Sequence, residues 1–400
     1  MRKILAVTLA LVMGGLCLPS AHAEDGVIRI GATVKLINEQ GEAIGKMLVD
    51  EFDAINKAGG INGHKIQFVM YNDECKSDRG VSNAIKIINE LKAHVLIGSH
   101  CSSVTLPIVD ITNRAKVPQI TPASSADGVT KRGSAWIFRI QISERFYKSV
   151  LAEYIAETAG KKVAYLTTAD AAAQSFTRNV VDYMKKTFNV EPVFSAQANE
   201  QEVDYRSYLL KMKAANPEAV VFSGNGPELA KMVTQANEVG IPSSVMRVAN
   251  SWACVVTFPE LAGDNAVGLV HVCPTTPFDT RPHAQAFVKL AKERYGIPLP
   301  DQDFAFAYDL VKLLKDALTN AKLTLTDASL EADREAIRDA LANTRDFVGL
   351  GAKPISFCAD PTPQCRDGGR SPYLLQYTKG GKAFETKVLK SVTYDPDFGL

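Results

Sequence analysis

Apolar positions along this chain follow two alternating rhythms. Short β-branched runs read as strands, and longer stretches with apolar residues every three or four positions read as helices. Residues 27–33 read as a strand. Residues 42–56 read as a helix with Ile44, Met47, Leu48, Phe52 and Ile55 on one face, stopped by Ala58-Gly59-Gly60. Strands follow at 64–71 and 95–97, with a helix at 80–92 between them. Residues 103–115 are helical, with Pro107 tolerated in the first turn, and 118–120 is a short strand. The rhythm then restarts. Strands at 162–167, 191–196, 219–223 and 244–249 alternate with helices at 175–186, 205–214 and 228–238. Residues 287–321 are again helical, and 330–343 is an amphipathic helix with Glu331, Asp333, Arg334 and Asp339 on its polar face. The tail over 373–396 is strand-like around a Lys379-Gly380-Gly381 turn.

Strict alternation of strands and helices implies parallel sheets covered on both faces. Two such blocks imply two doubly wound α/β lobes. No low-complexity linker separates them, so the lobes are joined by short crossings. A length of 400 residues suits two domains, and 46% hydrophobic with 22% charged residues is ordinary for a globular chain.

The first 23 residues change that picture. Arg2 and Lys3 open the chain, an apolar run extends to Leu18, and Ala21-His22-Ala23 places small residues where a signal peptidase reads. The run is shorter than the ~20 residues needed to span a bilayer. It predicts a secretory leader over 1–23 and a soluble exported protein, not a lipid-anchored one. Its removal turns the formal charge from +1 to about −1. No basic patch stands out, so nucleic acid and anionic membrane are excluded as partners. After the leader come Cys75, Cys101, Cys254, Cys273, Cys358 and Cys365. An even set in an oxidising compartment points to disulfides, with pairing by neighbours the obvious choice among 15 connectivities. No C-x-x-C or Cys–His finger spacing supports a metal, and no cofactor is implied.

Ligands of open parallel sheets sit beyond the carboxyl ends of the strands. Four turns there carry candidate chemistry: Gly98-Ser99-His100-Cys101-Ser102-Ser103, Thr121-Pro122-Ala123-Ser124-Ser125, Ser223-Gly224-Asn225-Gly226 and Asn250-Ser251-Trp252. Ser102 and Ser103 stand where a helix begins. There they serve either as a plain cap or as part of an anion site made with free helix N–H groups. A Ser102 nucleophile lacks the G-x-S-x-G elbow, and His100 is only two residues away. Gly224-Asn225-Gly226 lacks the third glycine of a dinucleotide fingerprint, since Leu229 stands there. No phosphate-binding G-x-x-x-x-G-K-[ST] loop exists. Phe304, Phe306 and Tyr308 form either a buried helix face or an apolar ligand wall, and Trp252 shares that ambiguity.

These segments, in this order and spacing, resemble the periplasmic leucine/isoleucine/valine-binding protein family, the type I solute-binding proteins of ABC importers. The resemblance is carried by Ile30-Gly31-Ala32, Ile55 to Gly63, Asn72-Asp73-Glu74-Cys75, Ile97 to Ser103, Ile120 to Ser125 and Gly224 to Glu228. It implies a flytrap of two doubly wound lobes joined by three crossings. Lobe 1 would take 24–143 plus 275–350, and lobe 2 would take 144–274 plus 351–400. It also implies a Cys75–Cys101 disulfide, while Cys254–Cys273 and Cys358–Cys365 rest on proximity alone. By the same resemblance, Ser102, Ala123 and Ser125 would hold a ligand carboxylate, with Gln40 contributing from the turn after the first strand.

The opposite wall departs from the family. Asn250 stands where an acid would meet an ammonium, Asn225 replaces an aromatic residue, and Ala171-Ala172-Ala173 replaces another. Asp170 or Glu39 is a candidate replacement acid. The ligand is therefore either a carboxylate without an amine, stacked near Trp252 and Phe304, or an amino acid held by a relocated acid. The implied protein is a monomeric, non-catalytic periplasmic capture protein that serves an inner-membrane ABC permease. A sensor domain for a signalling partner and an exported serine hydrolase working through Ser102 are the alternatives.

Overall fold

The structure, a computed structural model, describes residues 26–199, 202–351, 353–369 and 371–391. The expected leader at 1–23 and the last residues of the tail lie outside them. The first sheet is built from β1 (Ile28–Val34), β2 (Ile66–Asn72), β3 (Val95–Gly98), β4 (Gln119–Thr121) and β5 (Ile137–Arg139). Its strands are parallel, in the order β2-β1-β3-β4-β5. Helices α1 (Asn38–Lys57), α2 (Ser77–Asn89), α3 (Ser102–Ala115) and the short α4 (Gly128–Lys131) make the crossovers.

After β5 the chain passes to the second half through α5 (Lys148–Thr158). Strands β6 (Val163–Thr168), β7 (Phe194–Ala198), β8 (Ala219–Ser223), β9 (Met246–Ala249) and β10 (Val270–Cys273) alternate with α6 (Ala171–Phe188), α7 (Arg206–Ala214), α8 (Gly226–Glu238) and α9 (Thr257–Ala262). The chain then returns to the first sheet with α10 (Pro282–Tyr295), α11 (Gln302–Asn320) and α12 (Leu330–Ala342). Their Phe287, Phe304, Leu310, Leu314, Ile337 and Leu341 share one core with Ile30, Met47 and Phe52. A third passage, containing α13 (Pro363–Arg366), leads to the hairpin β11 (Tyr373–Lys379) and β12 (Glu385–Ser391). That hairpin adds antiparallel to β10 and completes the order β12-β11-β10-β9-β8-β6-β7. Two parallel-dominated lobes and three crossings follow.

The structure refines several sequence expectations. Leu350, Ile355 and Phe357 pack in the first core, and Phe357 sits 5.3 Å from Phe138. The chain thus stays with lobe 1 beyond residue 350, where the sequence places the boundary. Helix α3 starts at Ser102, so Pro107 lies past its first turn and offers the Ser103 carbonyl no N–H. On α12, Asp333 and Arg334 are buried, not solvated. Asp333 accepts from the Thr324 and Leu325 N–H groups and from Ser329 Oγ, and Arg334 Nε donates to the Ala93 carbonyl. Periodicity counts both as polar, but the preceding loop and a neighbouring strand end supply their partners.

Each expected cysteine pair is joined: Cys75–Cys101, Cys254–Cys273 and Cys358–Cys365. The first closes 26 residues between the turns after β2 and β3. A loop of that size is worth about 3 kcal/mol.

At the hinge, Asp367 is fully buried between two arginines. Its Oδ1 accepts from Arg139 Nε at 2.9 Å and Nη2 at 2.6 Å, and its Oδ2 lies 2.8 Å from Arg145 Nη2. Asp367→Asn keeps the volume but leaves two buried guanidinium groups without their anion. It is expected to lower the unfolding free energy by about 3–5 kcal/mol, read from urea titration at neutral pH.

Candidate functional site: a cleft between the lobes

A cavity of about 230 Å³ lies between the lobes. From lobe 1 it is lined by Lys35, Ile37 and Asn38 after β1, Glu74 to Lys76 after β2, and Cys101 to Ser103 after β3. From lobe 2 come Asp170 after β6, Asn225 to Glu228 after β8, and Trp252, Val255 and Thr257 after β9. All of these residues follow strand carboxyl ends, where parallel sheets leave room for ligands.

The two walls differ in how their helices begin. Helix α3 starts at the cavity with Ser102 and Ser103, and no side chain caps it. Its first N–H groups and positive dipole end are therefore available to an anion. Across the cleft the starts of α6 and α8 are already filled, while the short α9, which begins at Thr257, has no side-chain cap. Asp170 caps α6 by accepting from the Ala172 and Ala173 N–H groups, and its other oxygen accepts from Thr168 Oγ1. Asn225 caps α8 in a capping box with Glu228.

Lobe 1 holds its anion-facing turns rigidly. Gly98 has φ +125°, and a Cβ there would meet the Thr33 carbonyl oxygen at 1.9 Å. Only glycine lets β3 turn into the site at this point. The Ser99 carbonyl accepts from Thr121 Oγ1 at 2.6 Å and Ser124 Oγ at 2.9 Å, stitching the two serine turns together. Buried Asp73 accepts from Ser99 Oγ at 2.7 Å and from the Cys75 N–H at 2.9 Å. Arg139 Nη1 donates to the Ser124 and Ala126 carbonyls. The Ala126 N–H in turn donates to Ser102 Oγ at 3.1 Å, which leaves the Ser102 proton available to donate.

The sequence candidates therefore take different places. Ser102, Asn225 and Trp252 line the cavity. Ala123, Ser125 and Asn250 lie behind its walls and are buried, and neither side-chain polar atom of Asn250 has a hydrogen-bond partner among the described residues. Gln40 stands in the first turn of α1, not in a free turn. With Glu39 it lines an adjoining cavity of about 250 Å³, and its Oε1 accepts from the Asp301 N–H. Phe304 does not line the cleft. It is a core residue 5.7 Å from both Phe287 and Tyr295, so its place is the buried helix face and not the ligand wall. Among the described residues, one metal-type grouping occurs, Cys254, His271 and Cys273, and its two sulfurs are bonded to each other.

Lys35, Ile37, Asn38, Lys76, Val255 and Thr257 line the cavity and escaped the sequence reading. Lys35 reaches from β1 across the cleft, 5.0 Å over the Trp252 ring, with Asp303 3.6 Å from its ammonium. Its place directly after a strand was the available signal. Thr257 follows the Ser251–Cys254 turn and had no signal, because its proximity to the cleft arises only from the packing of α9.

A family model described as periplasmic binding protein matches residues 39–382. A leucine-, isoleucine-, valine-, threonine- and alanine-binding protein from Pseudomonas aeruginosa is 28% identical over 302 residues, 73% of this chain and 75% of that protein. A Leu/Ile/Val-binding protein from Escherichia coli K12 is 29% identical over 302 residues, 74% of this chain and 79% of that one. The solved structure of a leucine-binding protein from Thermotoga maritima superposes with TM-score 0.76 at 21% identity, covering 92% of this chain and 99% of that one. A branched-chain amino acid transporter substrate-binding protein from Streptococcus pneumoniae, in complex with isoleucine, gives TM-score 0.76 at 24% identity over 92% and 99%. These relatives are binding proteins, not enzymes.

Burial raises the Asp170 carboxyl to about 6, with the Glu228 charge adding to the shift. The folded state then holds a proton that the unfolded chain has already released between pH ~4 and ~6, so this group's contribution to stability falls as pH rises through that window. Asp170→Asn removes the dependence. Relative to the native chain, the variant is expected to gain about 2 kcal/mol between pH 4 and pH 8, measured by urea unfolding at both pH values.

Proposed function

Because the chain belongs to the periplasmic binding protein family, we propose that it captures a small carboxylate-bearing solute between its lobes. It would do so in the periplasm and present the closed form to an inner-membrane ABC permease. The relatives named for leucine, isoleucine and valine make an amino acid the first ligand class to consider. An aromatic or aliphatic carboxylate is the second.

The observation that carries this reading is the uncapped start of α3 facing the capped starts of α6 and α8 across one cavity. The uncapped end of α3 takes the ligand carboxylate, with Ser102 donating its hydroxyl proton and Ser103 beside it. Ala123 and Ser125 back this pocket. Trp252, Val255 and Ile37 enclose the apolar part of the solute, and Asn225 faces it from lobe 2. Contacts to both walls are made together only when the lobes are closed. The solute therefore favours that state, which is the condition for a population shift.

A thermal-shift screen of amino acids against keto, aromatic and dicarboxylic acids identifies the ligand, since a tight binder raises apparent stability. Ser102→Ala is expected to weaken that ligand by about 1–3 kcal/mol in calorimetry. Unchanged affinity moves the anion site elsewhere and overturns the reading.

A further inference from the structure

An α-amino acid carries its carboxylate and its ammonium on one carbon. The group that receives the ammonium must therefore stand beside the group that receives the carboxylate. Three acids line the cleft, and all are occupied: Glu74 pairs with Lys76 and Arg79, Asp170 accepts three hydrogen bonds, and Glu228 accepts from the Asn225 N–H in its capping box. A fourth acid lies behind the wall. Glu144 is fully buried at the first crossing between lobes. Its N–H donates to the Ser125 carbonyl at 2.9 Å, and Ser125 also bonds its carboxyl. From lobe 2, Ser251, next to Asn250 and Trp252, points its hydroxyl at Glu144 Oε1 from 3.4 Å. Glu144 Oε2 has no hydrogen-bond partner among the described residues, and neither does the Asn250 amide. Buried polar atoms without partners cost free energy unless something completes them.

We propose that Glu144 receives the ammonium of an α-amino acid whose carboxylate lies at Ser102, taking the role for which Asn250 carries no charge. This rests on the carboxylate-binding reading above and makes Glu144 the residue that separates amino acids from amine-free acids. Asn250 supplies a neutral acceptor from the opposite side. The acid has moved from the lobe 2 strand end to the crossing itself, so ammonium binding engages the hinge directly.

The groups facing Glu144 set its protonation. Burial raises its carboxyl to about 8, with Asp127 and Asp170 adding to the rise and Arg139 and the Ser125 bond opposing it. Tyr147 is buried against it, and its hydroxyl is neutral. In the empty cleft at pH 7 Glu144 therefore holds its proton, while Asp170, at about 6, is mostly ionised. An arriving ammonium ionises Glu144 and releases that proton.

The test uses matched pairs on the full chain: L-leucine with 4-methyl-2-oxopentanoate, L-phenylalanine with phenylpyruvate, and L-glutamate with 2-oxoglutarate. The native protein is expected to bind the amino acid of at least one pair about tenfold or more above its oxo acid. Glu144→Gln is expected to remove that preference, with oxo-acid affinity changing by less than about threefold. Calorimetry at pH 7 in two buffers of different ionisation enthalpy reads the release of close to one proton per bound amino acid by the native protein, a readout that does not depend on the variant folding. Equal affinity within every pair, an unchanged preference in Glu144→Gln, or absence of proton release overturns this inference and leaves the carboxylate site standing. Binding of no member of any pair overturns both.

Discussion

One buried carboxylate holds the hinge in place. Asp367 arrives on the third passage of the chain and meets Arg139, at the end of β5, and Arg145, on the first passage to lobe 2. Two cations and one anion in a dry interior are tolerable only because the surplus charge is spread over backbone carbonyls and hydroxyls. Arg139 finds those acceptors at Ser124, Ala126 and Thr130. The same bonds fix the second serine turn, which presents the Ala126 N–H to Ser102. Charge compensation at the hinge and orientation of the ligand-facing hydroxyl are thus one requirement, met by one guanidinium.

From that anchor the cleft acquires its direction. Lobe 1 offers a rigid, uncapped helix start, braced by the Cys75–Cys101 disulfide at the residue just before it. Lobe 2 offers the capped starts of α6 and α8 and an indole face. An anion entering the cleft has a preferred end to approach, so a small solute is oriented before the lobes close on it. Two long contacts span the walls beside the indole. Lys35 over Trp252 is one, and the Val256 N–H donating to Asp301 at 3.4 Å is another. Shorter bonds join the lobes beside the second serine turn, where the Asp127 N–H donates to Ser175 Oγ at 3.1 Å and Asn179 Nδ2 donates to Asp127 Oδ2 at 2.9 Å, so opening must break them.

The doubly wound lobes were readable because each strand and helix carries its own period, and that period survives folding almost unchanged. Turn chemistry at Ser102, Asn225 and Trp252 was readable for a related reason: parallel sheets confine ligands to strand ends, and those residues follow strand ends directly. Phe304 misled because an aromatic run is equally apolar on a cleft wall and in a core, and only the packing of α10 against α11 decides between them. Gln40 misled because α1 begins earlier than its apolar face does. Glu144 was invisible. Its neighbours Ser125 and Ser251 belong to different lobes, and no local pattern announces a crossing that draws them together. Asp333 and Arg334 show the same limit, since polar letters inside an amphipathic helix do not say whether another segment will cover them.

The chain contains only two tryptophans. Trp136 is buried away from the cleft, beneath the Arg338 guanidinium at 4.7 Å. Trp252 stands on the lobe 2 wall and faces an ammonium carried by lobe 1. Any motion that parts the lobes draws that positive charge away from the indole and admits water to its face. The molecule therefore carries its own optical gauge of jaw position, with a second indole as an internal standard that the motion leaves alone.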